Sequence, residues 1–234
     1  MSNPVKFITG RLVKRYKRFF ADVKLDNDEI VTAHCPNTGS MMGLLEEGNI
    51  VYLSKSDNEK RKLKFTLEII KVKTAKIGVN THRANRIVEE AIQNKKISAL
   101  GKKYEFKREV KYGKNSRIDF LITNSKNEEI FLEVKNVTLS KVNSFAEFPD
   151  AVTERGSKHL LELIKVVKSN KRAVMLFLIQ RDDCTKFKVA EDIDPVYKKN
   201  IMKAIKAGVE ILCYNCSFQN NNIELDKKIK FIDK

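Results

Sequence analysis

The sequence predicts a mixed α/β protein, α+β overall, in which a small closed β-barrel precedes a mixed sheet flanked by helices. Three observations carry this. The first 75 or so residues hold five short β-branched or aromatic-rich runs and no helical period. After Asn80, apolar residues recur at helical spacing and alternate with strand-like runs. Within Arg172–Gln180, the stretch Ala-Val-Met-Leu-Phe-Leu-Ile is unbroken apolar, as in a strand covered on both faces.

The barrel strands are expected at Arg11–Arg15, Phe19–Leu25, Glu29–Cys35, Asn49–Lys55 and Phe65–Lys73. Gly39, Gly43, Gly48 and the Asp57-Asn58-Glu59 turn punctuate them. Five strands in so short a span suit the OB type of barrel. Arg15-Tyr16-Lys17-Arg18-Phe19-Phe20 interleaves cations, which track phosphates, with aromatic faces on which bases stack. The alternative reading makes Phe19 and Phe20 core residues and the cations merely solvated. His34-Cys35 is a poor nucleophile–base pair, because neighbours on a strand point to opposite faces. The following Pro36-Asn37-Thr38-Gly39 reads as a polar turn facing the second part of the chain, and His82 as helix-start surface.

A helix is expected over His82–Lys96, with Ala84, Ile87, Val88, Ala91 and Ile92 as its apolar stripe and Thr81 as its cap. Strands follow at Tyr104–Tyr112, Arg117–Ile122 and Ile130–Val137, then a helix from about Asp150 to Lys168. Asp194-Pro195 supplies a cap and an N1 proline for a helix stopping at Gly208, and Val209–Tyr214 is a further buried strand. The order α-β-β-β-α-β-α-β describes a mixed sheet with helices on both faces. The division falls at residues 1–80 and 81–234, packed directly against each other.

The chain has 234 residues with 46 Lys+Arg against 30 Asp+Glu, a net charge of +16. Residues 1–80 carry 15 basic and 9 acidic side chains and the remainder 31 and 21, so both parts share the surplus. Such a surplus suits a polyanion, nucleic acid foremost. With 35 Lys to 11 Arg, a lysine-rich coding bias is the competing explanation. No run approaches the ~18 apolar residues of a membrane span, and the first residues show no secretory h-region. A cytoplasmic protein with no membrane partner is expected. Four cysteines in a reducing compartment read as free thiols, and Cys213-x-x-Cys216 lacks a second ligand pair for zinc.

The chemistry concentrates in two adjacent strands. Asp119 interrupts the apolar run Arg117-Ile118-Asp119-Phe120-Leu121-Ile122. Glu133 and Lys135 lie two apart in Ile130-Phe131-Leu132-Glu133-Val134-Lys135 and so project to one face. Charges in buried strands are costly unless paired or bound to metal. Two converging carboxylates suit Mg²⁺ (or Mn²⁺), which takes few protein oxygens plus water and phosphate. A lysine beside them can orient or deprotonate a water for attack on phosphorus. The acid-x-Lys pattern recurs at Asp22, Glu105 and Asp226, so only the strand context marks Glu133. A purely structural ion-pair network among Asp119, Glu133 and Lys135 is the alternative.

Several blocks carry a resemblance. They are Arg15-Tyr16-Lys17-Arg18-Phe19, the run from Ala33 to Met41, Gly78-Val79-Asn80-Thr81, Ser116–Leu121, Glu133–Leu139 and Phe148–Leu160. Through them the chain, from about Gly10 to Tyr214, resembles the sugar fermentation stimulation protein A family. That resemblance implies an OB-like domain joined to a PD-(D/E)XK restriction-endonuclease-like domain. It implies non-specific DNA binding, a link to sugar (maltose) utilisation and metal-dependent phosphodiester cleavage. Asp119 and Glu133 would be metal ligands and Lys135 the catalytic lysine. An added acid from the preceding helix would be Glu89 or Glu90, with Glu90 favoured. Arg117-Ile118 stands where a proline commonly precedes the aspartate.

Nucleic-acid contacts are expected from Arg15, Tyr16, Lys17, Arg18 and Arg117. Arg155, Lys158 and His159, spaced to share a helix face, join them, a solvated basic face being the alternative. The leading function is a Mg²⁺-dependent nuclease acting on DNA; a homodimer is compatible with it. A non-catalytic DNA-binding regulator of sugar metabolism and an RNA-binding or RNA-processing protein are the alternatives.

Overall fold

The computed structural model describes residues 6–113, 116–219 and 221–233. Met1–Val5, part of the segment read for a leader, lie outside the described residues.

Strands β1 (Phe7–Tyr16), β2 (Phe20–Leu25), β3 (Ile30–His34), β4 (Ile50–Lys55) and β5 (Phe65–Val72) close on themselves. Their order is β3-β2-β1-β4-β5, and a parallel pairing of Ala33 with Phe65 joins β3 back to β5. Strand alternation sends Ala21, Val23, Val31, Ala33, Val51 and Leu53 inward to one core with Leu12, Leu67 and Ile70. This is the expected barrel. A sixth strand, β6 (Ala75–Gly78), pairs with β5 on the outside.

That added strand joins the two parts. Gly78 N donates to Gln180 O (2.9 Å), Ile77 bridges Arg181, and Lys76 N donates to Asp182 Oδ1 (2.9 Å). A Cβ on Gly78 would meet the Gln180 side chain, standing 3.1 Å from its Cδ and 3.3 Å from its Cβ, so glycine leaves that side chain its place at the joint. Buried Glu68 of β5 makes a second tie, accepting from Ser54 Oγ (2.6 Å), Asn80 Nδ2 (2.9 Å) and Arg83 Nε (2.6 Å). It thereby fixes the start of α1 (Arg83–Gln93) against the barrel.

The second sheet contains β7 (Tyr104–Tyr112), β8 (Ser116–Asn124), β9 (Glu129–Val137), β12 (Arg172–Ile179), β14 (Glu210–Gln219) and β15 (Asn222–Lys228). Its order is β15-β14-β12-β9-β8-β7, with β9, β12 and β14 parallel. Helix α1 covers one face; α2 (Glu154–Lys168) and α3 (Pro195–Ala207) cover the other. Along β12, Val174, Leu176 and Leu178 enter the first core, while Ala173, Met175, Phe177 and Ile179 enter the second. The unbroken apolar run follows from that double cover. Strands β10 (Leu139–Val142), β11 (Phe145–Phe148), β13 (Lys186–Val189) and β16 (Lys230–Ile232) form a small separate sheet that was not anticipated.

Helix ends divide instructively. Asp194 Oδ1 accepts from Tyr197 N (2.8 Å), Pro195 opens α3, and Gly208 ends it at φ +102°, as expected. Helix α2 begins at Glu154 rather than Asp150, because Thr153 is the residue that caps Gly156 N (3.0 Å). Asp150 instead accepts from Ser40 N (3.1 Å) across the joint. Thr81 does not cap α1: its hydroxyl donates to Pro36 O (2.7 Å). The turn after His34 thus faces the second part of the chain. Cys213 and Cys216 fall into opposite cores, as a three-residue step on a strand requires.

Candidate active site

The β8–β9 ladder runs antiparallel from Thr123↔Glu129 to Phe120↔Leu132 and stops there. Continued by one step, that register would bring Asp119 across from Glu133, but the pairing has ended. On the other side, the β7–β8 pairing passes from Arg108↔Phe120 to Val110↔Ile118, and the intervening Glu109 has φ +52°. Phe120 and Ile118, which regular alternation would place on one face, belong to different cores. The sheet therefore twists at Asp119, a local irregularity of the kind that re-aims a side chain.

Freed from the ladder, the half-buried Asp119 carboxylate fills the gap. Its Oδ2 accepts from Val134 N (2.7 Å) and its Oδ1 from Asn85 Nδ2 (2.8 Å) on α1. Burial foremost, then the negative charge of Glu133, pushes this carboxyl above the usual aspartate range; the two hydrogen bonds and Lys135 offset only part.

Glu133 is 2% exposed. Its Oε1 accepts from Lys135 Nζ (2.7 Å) and makes a close contact with His159 Nδ1, while its Oε2 is buried with no hydrogen-bond partner among the described residues. Burial alone would raise the Glu133 carboxyl, but the hydrogen bond from His159 and the charge of Lys135 outweigh it and hold it low. Two neighbouring carboxylates are thus driven in opposite directions, as in sites where paired acids divide their roles. The buried hydroxyls of Tyr112 and Tyr197 also lack partners among the described residues; burial, reinforced by the charge of Glu133, pushes both well up and keeps them neutral.

The structure brings Asp119, Glu133, Lys135 and His159 together. It does not bring Glu90 to them. Glu90 pairs with Arg86 (3.1 Å) and Glu89 with Arg108 (2.7 Å), both lining an open groove beside Glu224. No hydrogen bond or ion pair links Glu90 to the central group among the described residues. The helix contributes Asn85 instead, which sequence reasoning missed.

The expected nucleic-acid residues also divide. Arg15 is a clamp, its guanidinium donating to Arg18 O (3.1 Å), Asn37 O (2.8 Å) and Gly39 O (3.1 Å). Tyr16 donates to Asp22 Oδ1 (3.2 Å) and packs on Phe20. Lys17, Arg18 and Phe19 stand exposed at the hairpin tip, as does Arg117 beside Asp119. Arg155 and Lys158 are exposed on α2, whereas His159 is buried, so the three do not share one solvent face. His159 precedes Leu163 and Val166 by four and seven residues, the spacing of the buried stripe, a signal that would have separated it from them.

A hard divalent cation is compatible with this donor set. Among the described residues no three or more His, Cys, Asp or Glu side chains gather into a cage. What remains is a half-buried and a buried carboxylate with one unpartnered oxygen, a donor set of the kind a hard ion takes beside water and phosphate.

Models of two domain families match the chain: the SfsA N-terminal OB domain over residues 13–79 and the sugar fermentation stimulation protein RE domain over residues 82–222. The chain belongs to the sugar fermentation stimulation protein family. The family's homolog from Pelagibacter ubique (strain HTCC1062) is 54% identical over 226 residues, 97% of each chain. That from Maricaulis maris (strain MCS10) is 50% identical over 216 residues, 92% of each. Among solved structures, Pyrococcus furiosus SfsA in complex with Ca²⁺ matches with a TM-score of 0.87 at 27% identity, covering 97% of this chain and 96% of that one. The fold is accordingly that family's: an OB-like barrel followed by a restriction-endonuclease-like sheet with helices.

Proposed function

We propose that this protein is a metal-dependent phosphodiesterase acting on nucleic acid, DNA foremost, with Mg²⁺ or Mn²⁺ as cofactor. The observation that carries the reading is Asp119 within reach of the charge of Glu133 where the ladder ends, with Glu133 Oε2 buried and unpartnered among the described residues. The Ca²⁺ in the Pyrococcus furiosus relative supports a divalent cation here. Asp119 and Glu133 would hold it, and when bound it supplies positive charge to a phosphate oxygen and its developing charge. Lys135 spends one N–H on Glu133 Oε1, and its ammonium retains donors with which to position an attacking water in line with phosphorus. Residues 1–80 would grip the strand, and residues 81–234 would cut it. Lys17, Arg18, Arg117, Arg155 and Lys158 remain the solvent-facing cations for phosphate contact.

Four buried free cysteines agree with a reducing cytoplasm, and among the described residues no helix is long and apolar enough to cross a membrane. A second reading, a non-catalytic nucleic-acid-binding regulator, is favoured by one observation: Lys135 already neutralises Glu133 without a cation. Cleavage of single- and double-stranded DNA and RNA in Mg²⁺, Mn²⁺ or Ca²⁺ separates the two. The nuclease reading expects cuts in Mg²⁺ or Mn²⁺ that vanish in Asp119→Ala, Glu133→Ala and Lys135→Ala. Absence of metal-dependent cuts on all substrates leaves the regulator.

A further inference from the structure

Three groups meet at one corner of the site. Lys135 Nζ lies 2.7 Å from Glu133 Oε1 and 3.0 Å from His159 Nδ1, and Nδ1 also touches Oε1. The ammonium can only donate and the carboxylate only accept. Nδ1 can donate to Oε1 or accept from Nζ, but not both at once. In either tautomer Oε1 is held, directly or through Lys135, and Oε2 is left alone. That matters because the terminal torsion of a glutamate is broad and two-fold, so a carboxylate without an anchor exchanges its oxygens.

The imidazole is itself well fixed. His159 is 9% exposed, six residues beyond the Thr153 cap of α2. Thr153 N donates to Asp194 Oδ2 (2.8 Å) at the start of α3. Gly156 lets the helices close: a Cβ there would stand 3.1 Å from Tyr197 Cε2. The helix pair therefore sets His159 at a defined height above β9.

We propose that His159 is a positioning residue that anchors Glu133 Oε1, so that Oε2 is the oxygen offered to a divalent cation. It rests on the metal reading above. It also replaces the phosphate-contact role that the spacing of Arg155, Lys158 and His159 suggested.

The test is calorimetric titration of the full-length protein with Mn²⁺ and with Ca²⁺, without nucleic acid, beside binding of a DNA duplex in EDTA at several salt concentrations. His159→Asn keeps an amide near the Nδ1 position, whereas His159→Gln carries it out to the Nε2 position; His159→Phe removes both. Outer partners of metal ligands typically contribute about 10- to 100-fold in affinity. Cation affinity should fall by about that factor in H159F and H159Q and recover largely in H159N, with DNA affinity and its salt slope in EDTA unchanged. If H159F lacks a cooperative melt, the Asn–Gln pair decides. Equal cation affinity in H159N and H159Q, or a salt slope reduced by about one phosphate, overturns the proposal. A wild-type protein that binds neither cation removes the metal reading itself, whereas wild-type binding that all three variants retain removes only the positioning role.

Discussion

Asp119 and Glu133 stand on neighbouring strands just past Phe120↔Leu132, where their ladder ends, close enough for the charge of Glu133 to act on Asp119. Their carboxylates are pushed apart in acidity because Asp119 is held by neutral donors, whereas Glu133 is held by a lysine and a histidine. A proton goes to Asp119 more readily than to Glu133, and a cation entering the site would compete with it there.

Asn85 should therefore tune that competition. Its amide is one of the groups that oppose the rise of Asp119. Asn85→Ala removes the bond and lets the Asp119 carboxyl rise further, so protons compete at higher pH. Cation affinity should drop about tenfold at neutral pH, and its loss on acidification should begin at higher pH than in the wild type. Calorimetric titrations across a pH series read both effects, and an unshifted pH profile contradicts them.

Lys135→Ala should separate chemistry from binding. Loss of a group acting at the attacking water lowers turnover on the order of 10²- to 10⁴-fold. DNA affinity in EDTA should stay near wild type, because Lys135 is 13% exposed and committed to Glu133. Asp119→Ala should lose cation affinity together with cleavage. Single-turnover cleavage beside filter binding distinguishes these patterns.

The hairpin tip predicts a division between stability and affinity. Arg15→Ala breaks three bonds to main-chain carbonyls and should destabilise the protein by about 2 kcal/mol. Lys17→Ala and Arg18→Ala, at exposed positions, should change stability by less than about 0.5 kcal/mol. Each should instead flatten the salt dependence of duplex binding by about 0.9 in slope if it contacts a phosphate. Thermal melts and salt titrations of the three variants give the comparison.

Arg181 and Asp183 provide the acid-sensitive joint. Arg181 is 7% exposed, bridges β6, and donates to both oxygens of Asp183 (2.8 and 2.7 Å) and to Thr138 O (2.9 Å). Burial would raise Asp183, but Arg181 outweighs it and holds the carboxyl low. A depressed carboxylate contributes stability that is full above its unfolded range, near pH 4, and is lost as pH falls through the folded value. Asp183→Asn should cost about 2 kcal/mol at neutral pH, less than a fully buried pair because Asp183 is 35% exposed. The difference from wild type should shrink on acidification below pH 4; a constant difference argues against the pair.

Much of the fold was legible because period and punctuation agreed. The alternating barrel strands, the doubly covered β12 and the Asp194-Pro195 to Gly208 helix each bring a local rule that tertiary packing left intact. Strands β10, β11, β13 and β16 escaped because three or four residues are too short to show a period, and their partners come from distant segments. Strand β15, Asn-Ile-Glu-Leu-Asp-Lys-Lys, was not expected: its alternation covers only Ile223 and Leu225 before a run of charges, and it forms by pairing with β14.

The site shows the same boundary more sharply. Asp119, Glu133 and Lys135 stood out in the sequence because a charge inside an apolar strand carries a desolvation cost that demands a partner. Their local chemistry was enough to mark them. Which helix residues complete the group depended on where α1 and α2 are docked, by Glu68 with Arg83 and by Thr153 with Asp194. Rotation and translation of a helix against a sheet are decided by contacts far apart in sequence. Only the tertiary structure therefore brought Asn85 to Asp119 and set the inward-facing His159 on Glu133.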